Sequence, residues 1–152
     1  MNTQPFFFKS TDIGPRQWGR EILVAYSEGK YIGKLLKMNA GFKGGLQKHQ
    51  LKDETGYIYS GEMNFYYDAG DGKLTCKKLI AGDAVHILPG TIHQEEAITD
   101  VIIFETSSPH FNDRIRCEEQ YGQVIPPGGL PSSTVEEIQT TLEEVGLKLE
   151  KI

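Results

Sequence analysis

Short runs of alternating apolar and polar residues fill most of this chain, and turn residues interrupt them at regular intervals. Glu21–Tyr26 and Tyr31–Met38 read as strands joined by a Ser27-Glu28-Gly29 turn. Thr55–Tyr59 is strand-like and stops at Gly61. Met63–Tyr67 alternates, and the Asp- and Gly-rich stretch 68–72 signals a hairpin that returns along Lys73–Ile80. Ala84–Leu88, Thr91–Glu95 and Asp100–Thr106 continue the series. Short strands at regular turn spacing, with no helices between them, predict an all-β sandwich or barrel.

The two ends differ from this pattern. Phe6–Phe8 reads as an edge strand or a plug over a sheet, and Asp12, Gly14 and Pro15 read as loop. The Pro- and Gly-rich stretch 126–131 cannot be regular structure. Beyond it, Ser133 with Glu136 forms a capping-box pattern, and Val135, Ile138, Leu142 and Val145 recur at helical spacing. A short helix over 134–145 is therefore predicted, ended by Gly146. The organisation expected is an N-terminal segment (1–16), one β domain (17–125), and a linker with a C-terminal helix (126–152).

Composition narrows the setting. The 152 residues, 38% hydrophobic, suit one globular domain. A formal net charge of −5 argues against a nucleic-acid partner. No apolar run approaches the roughly 18 residues of a membrane span. Cys76 and Cys117 lack metal-type spacing and read as free thiols, which points to a cytoplasmic protein.

The chemistry concentrates in Gln47–Glu54 and at His93. Gln47 and His49 are two apart, so on a strand they project from the same face. Lys52 and Asp53 read as a polar turn, after which Glu54 opens the next strand and returns toward the pair. His93 follows a Pro89-Gly90 turn. Nitrogen and oxygen ligands held on several strands suit a divalent transition metal, whether zinc, manganese, iron, cobalt or nickel. His86 reads as a wall or surface histidine and His110 as a loop histidine. Trp18 reads as core or interface, and Asp113 with Arg116 as a structural ion pair.

These stretches resemble the two motifs of the cupin superfamily. Glu54 and Gly61 have the first motif's spacing, and His49 falls on its second histidine. Gln47 stands where the common form has the first histidine, and Pro89-Gly90 lacks the intervening residue of the common second motif. The resemblance implies a single-domain jelly-roll β-barrel with Gln47, His49, Glu54 and His93 as metal ligands. Further likeness narrows it over residues 17–122. Gln17-Trp18-Gly19, Tyr31-Ile32-Gly33-Lys34, Leu46-Gln47-Lys48-His49, Phe104-Glu105-Thr106, Asp113–Arg116 and Tyr121-Gly122 are similar to the mannose-6-phosphate isomerase-type domain of bifunctional mannose-1-phosphate guanylyltransferases. Ser107-Ser108-Pro109-His110 departs from that domain's glycine-containing loop.

That likeness implies a homodimer and an aldose–ketose isomerase or epimerase of a sugar or sugar phosphate. Glu105, a carboxylate in an apolar strand, is the candidate base, and Glu95, on the face of His93, is the reserve. Lys34 would hold a substrate phosphate or hydroxyl. A cupin dioxygenase and a non-catalytic sugar-binding cupin are the competing readings.

Overall fold

The computed structural model describes residues 3–152. Its strands in chain order are β1 (Phe8–Lys9), β2 (Thr11–Arg16), β3 (Gly19–Ser27), β4 (Tyr31–Met38), β5 (Gln47–Lys48) and β6 (Glu54–Ser60). They continue as β7 (Glu62–Asp68), β8 (Leu74–Ile80), β9 (Ala84–Ile87), β10 (His93–Ala97), β11 (Val101–Ser107), β12 (Ile115–Arg116) and β13 (Glu150–Lys151). Every pairing between them is antiparallel.

Two sheets carry the fold. One is six-stranded in the order β2-β3-β4-β11-β6-β9, and the other is five-stranded in the order β12-β5-β10-β7-β8. The inward residues alternate as a half-buried strand requires. Leu36, Met38, Ile58, Ile87, Val101 and Ile103 from the larger sheet meet Met63, Phe65, Leu79 and Ala97 from the smaller one in a single core cluster. No helix among the described residues is long and apolar enough to cross a membrane.

The glycine that closes the first motif has a steric reason. Gly61 sits at φ +89°, and a Cβ there would lie 2.1 Å from the Asp100 carbonyl oxygen. The β6–β7 connection therefore passes against the start of β11 with no room for a side chain.

The structure corrects two expectations at the ends. Thr11–Arg16 is not loop but an edge strand paired with β3, and its register shifts between Asp12 and Pro15. Gly14 at φ +120° sits within that irregularity, and an edge strand tolerates the missing proline donor. The C-terminal helix over 134–145 does not form. Its only helical element is a 3-10 turn, Val135–Glu137, and the capping box closes on Thr134 and Glu137 rather than on Ser133 and Glu136. Asn112 explains the early stop. Its Oδ1 accepts from the Gln139 N–H at 2.6 Å and its Nδ2 donates to the Glu137 carbonyl at 3.0 Å. These backbone groups are captured by a neighbouring loop before the helix can use them. Phe8 pairs with Lys151, so the two ends of the chain join in a small separate ladder, with Phe6 and Phe7 exposed beside it.

Candidate metal centre

The ligand candidates come from both sheets. His93 begins β10 and lies directly opposite Gln47 of β5, which in turn lies opposite Arg116 of β12. Directly opposed residues share a face, so these three side chains project together. All three line one cavity of about 580 Å³, together with His49 and Glu54. That size falls within the roughly 300–1,000 Å³ of small-molecule sites. His49 follows β5, and Glu54 opens β6 in the opposite sheet. The two motifs are tied by backbone, since the Gly90 N–H donates to the His49 carbonyl at 2.8 Å. Gly45 leaves room for Arg116, because a Cβ at that position would stand 2.7 Å from a guanidinium nitrogen.

His49, Glu54 and His93 form a cluster whose ligand atoms all lie within 4.8 Å of one another, and all three side chains are buried. The ring geometry sets their protonation pattern. His49 Nδ1 meets the Asp113 carbonyl at 2.5 Å and His93 Nδ1 meets the Thr91 carbonyl at 2.9 Å. A carbonyl only accepts, so both Nδ1 atoms carry the hydrogen. The Nε2 atoms face Glu54 Oε1, at 3.0 Å from His49 and 3.5 Å from His93. Both Nε2 atoms and Glu54 Oε1 thus face one point, an arrangement that suits a cation between them. Carbonyl-anchored imidazoles of this kind are typical of metal-ligating histidines. The donor set fits a divalent transition metal held by His49, Glu54 and His93. Gln47 stands beside His93 and faces the same space.

Charge around the cluster supports this fit. Lys52 is buried, with Nζ 2.8 Å from Glu54 Oε2 and 3.1 Å from Glu105 Oε1. Burial would lower its pKa, but Glu105 and Glu54 more than offset that and raise it. Burial alone would raise the Glu54 carboxyl, yet Lys52 and His49 hold it well below its usual value. Glu105 is raised by burial and by the Glu54 charge. Glu95 lies on the inward face of β10, two residues from His93, and makes no ion pair or hydrogen bond with its side chain among the described residues. Burial, then the charges of Glu105 and Glu54, push it up to about 8. Burial pulls His93 down to about 4, so the ring is neutral and suited to ligation at pH 7. Three inward carboxylates face one ammonium here. With all three ionised, two negative charges are left over, which is what one dication would balance.

Lys34 points inward on β4, as the likeness implies, and its Nζ lies 2.9 Å from Glu21 Oε1. Arg16 holds the other oxygen of Glu21 at 2.7 Å. Trp18 packs against the core and also lines the cavity. His86 is exposed on β9 and bonds Asp53 at 2.7 Å, and His110 sits in its loop 2.8 Å from Ser108 Oγ.

Two residues read differently from the sequence turn out to build the site. Lys52 is not a solvated turn residue but the counter-ion of Glu54 and Glu105. Asp113 does not pair with Arg116, whose guanidinium binds Glu118 instead. The Asp113 carboxylate accepts from the N–H groups of Gln50, Leu51 and Lys52 at 2.8, 2.6 and 2.7 Å. It fixes the turn that carries Lys52, while its own carbonyl orients His49. The available signal for Lys52 was its position between His49 and Glu54, where clustered carboxylates require a cation.

Two facing antiparallel sheets with a His-Glu-His cluster between them define the class: this is the cupin fold. The solved structures that it resembles say the same. It superposes on KdgF from Halomonas sp. with TM-score 0.56 and 21% identity, covering 68% of this chain and 94% of that one. An RmlC-like cupin from Shewanella frigidimarina gives TM-score 0.54 and 20% identity over 67% of this chain and 84% of that one. Oxalate decarboxylase from Bacillus subtilis, described with Mn(II) centres, gives TM-score 0.64 and 14% identity over 76% of this chain and 33% of that one. No protein-family model and no curated protein matches the sequence.

Proposed function

We propose that this chain is a metal-dependent aldose–ketose isomerase or epimerase acting on a sugar or sugar phosphate. The observation that carries this reading is the placement of two further carboxylates. Glu95 on one sheet and Glu105 on the other line the cavity into which His49, Glu54 and His93 also face. Isomerisation needs a cation-binding cluster for the sugar's adjacent oxygens and, beside it, a carboxylate to shift a proton between neighbouring carbons. A divalent metal, when bound, supplies Lewis-acid stabilisation of the negative charge that develops on oxygen.

The chain's own residues divide the remaining work. The role of base passes here from Glu105, the first candidate from the sequence, to Glu95, the reserve: Glu95 has no ion-pair partner among the described residues, so it is free to take a proton from carbon and return it to the next. Glu105 is tied to Lys52, and that pair orients Glu54. The apolar core behind the cluster, including Phe65 stacked on His93 with centroids 6.0 Å apart, excludes water from that side.

The test is incubation in deuterated water with mannose, fructose and their 6-phosphates, with zinc, manganese, iron, cobalt or nickel supplied. Deuterium should enter at C2 during isomerisation, and Glu95→Gln should abolish this while retaining metal. If no sugar turns over with any metal, the isomerase reading is abandoned for a sugar-binding or dioxygenase one.

A further inference from the structure

The cationic side chains in the cavity wall are paired with carboxylates, and among the described residues the exception is Arg114. Arg16 is held by Glu21, Lys34 by Glu21, Lys52 by Glu54 and Glu105, and Arg116 by Glu118. Arg114 lines the same cavity, is half-buried, and makes no ion pair or side-chain hydrogen bond among the described residues. Its surroundings disfavour its charge, through burial first and then through the neighbouring Arg116 and Arg16 guanidinium groups, against some relief from Glu21.

The backbone at this point is fixed. The Arg114 carbonyl accepts from the Ser133 N–H at 2.8 Å. The preceding Asp113 is clamped by three backbone N–H groups, and the following two residues form β12 against β5. An unpaired guanidinium on an anchored backbone, flanked by two further cations and partly withdrawn from water, is a preorganised receptor for an oxyanion. We infer that Arg114 binds the anionic group of the substrate, a carboxylate or phosphate carried on a sugar, and so selects anionic over neutral sugars. This rests on the sugar-handling reading above and adds the charge of the substrate to it.

The experiment measures binding by calorimetry on metal-loaded protein with two matched pairs, mannose 6-phosphate against mannose and glucuronate against glucose. The phosphate and carboxylate arms identify which oxyanion the site takes. At least one anionic member should bind about tenfold or more tightly than its neutral partner, the scale of a charge-assisted pair. Arg114→Gln should remove that preference and leave the neutral sugar's affinity within about twofold. Arg114→Lys should keep part of it. Metal content and thermal midpoint of both variants separate lost recognition from lost fold. If the preference survives in Arg114→Gln, if both members of a pair weaken equally, or if no anionic sugar is preferred, the inference is overturned. Anion preference through Arg114 without isomerisation would sink the isomerase reading alone. Isomerisation of neutral sugars, indifferent to Arg114, would sink this one alone.

Discussion

Replacing Asp113 with Asn removes one negative charge and one acceptor from a group that serves three donors. Oδ2 receives the N–H groups of Leu51 and Lys52 at 2.6 and 2.7 Å, and Oδ1 receives that of Gln50 at 2.8 Å. Asparagine can set its oxygen at only one of these positions, and its NH2 then faces a backbone N–H at the other. The best case keeps the Leu51 and Lys52 bonds and turns the Gln50 bond into a donor–donor clash. Bonds to a charged acceptor contribute about 1.5–3 kcal/mol each, and Asp113 is 2% exposed, so solvent cannot replace them. One lost and two weakened bonds give an expected loss of about 2–5 kcal/mol in urea denaturation, with m unchanged. The sign with pH follows from the depressed carboxyl. Burial would raise it, but the three N–H groups bring it below 3.8. Its stabilisation is therefore complete above the ordinary carboxylate range and is lost as pH falls through the depressed value. The gap between wild type and Asn should be constant from pH 5 to 7 and shrink below about 3.8. Metal affinity should fall as well, because the same turn positions Lys52 and the Asp113 carbonyl orients His49. A loss under about 1 kcal/mol with unchanged metal affinity would refute this account.

Further expectations follow from the same geometry. Elemental analysis of protein purified without chelator should give near one equivalent of divalent metal, His49→Ala and His93→Ala should each lose it, and full retention in both would refute the ligand assignment. Lys52→Met leaves Glu54 and Glu105 buried without their ammonium and should cost about 3–5 kcal/mol in metal-free protein, less when metal is added. Gly61→Ala forces a Cβ against the Asp100 carbonyl at positive φ and should destabilise by about 2–4 kcal/mol, with a near-neutral result in a thermal melt counting against it. Sedimentation should give twice the 17.0 kDa chain mass, as the isomerase-type likeness implies, and a strictly monomeric mass at micromolar concentration would count against the homodimer.

What could be read from the sequence was local. Alternation marks the major strands because burial of one sheet face repeats every second residue, and β3, β4, β7 and β11 lie close to the predicted ranges. His49, Glu54 and His93 were legible because motif spacing fixes which face each side chain takes. The helix prediction failed because Asn112, 27 residues before Gln139, captures that residue's N–H. Asp113 was misassigned for a similar reason. Its partners Gln50, Leu51 and Lys52 lie 61 to 63 positions away, and no periodicity announces a contact across that distance. Strand β2 was missed because Gly14 and Pro15, read as loop, are tolerated in an edge strand with a register shift.

The charges of the cavity show why the two proposals belong together. Glu21 is neutralised by Arg16 and Lys34, and Glu118 by Arg116. Arg116 and Glu118 cancel, Arg16 and Lys34 together exceed Glu21 by one positive charge, and two poles remain. The negative pole is Glu54, Glu95 and Glu105 against Lys52 alone, and without a cation the protein answers it by raising Glu95 to about 8. The positive pole is Arg114. A dication satisfies the first and cannot satisfy the second, which repels it. An anion satisfies the second and is repelled by the first. A molecule that offers neutral hydroxyl and carbonyl oxygens at one end and an oxyanion at the other complements both poles once the metal is bound. A neutral sugar would leave the half-buried guanidinium of Arg114 without a counter-charge, and a bare anion would offer no neutral oxygens to the side of the cavity that holds His49, Glu54 and His93.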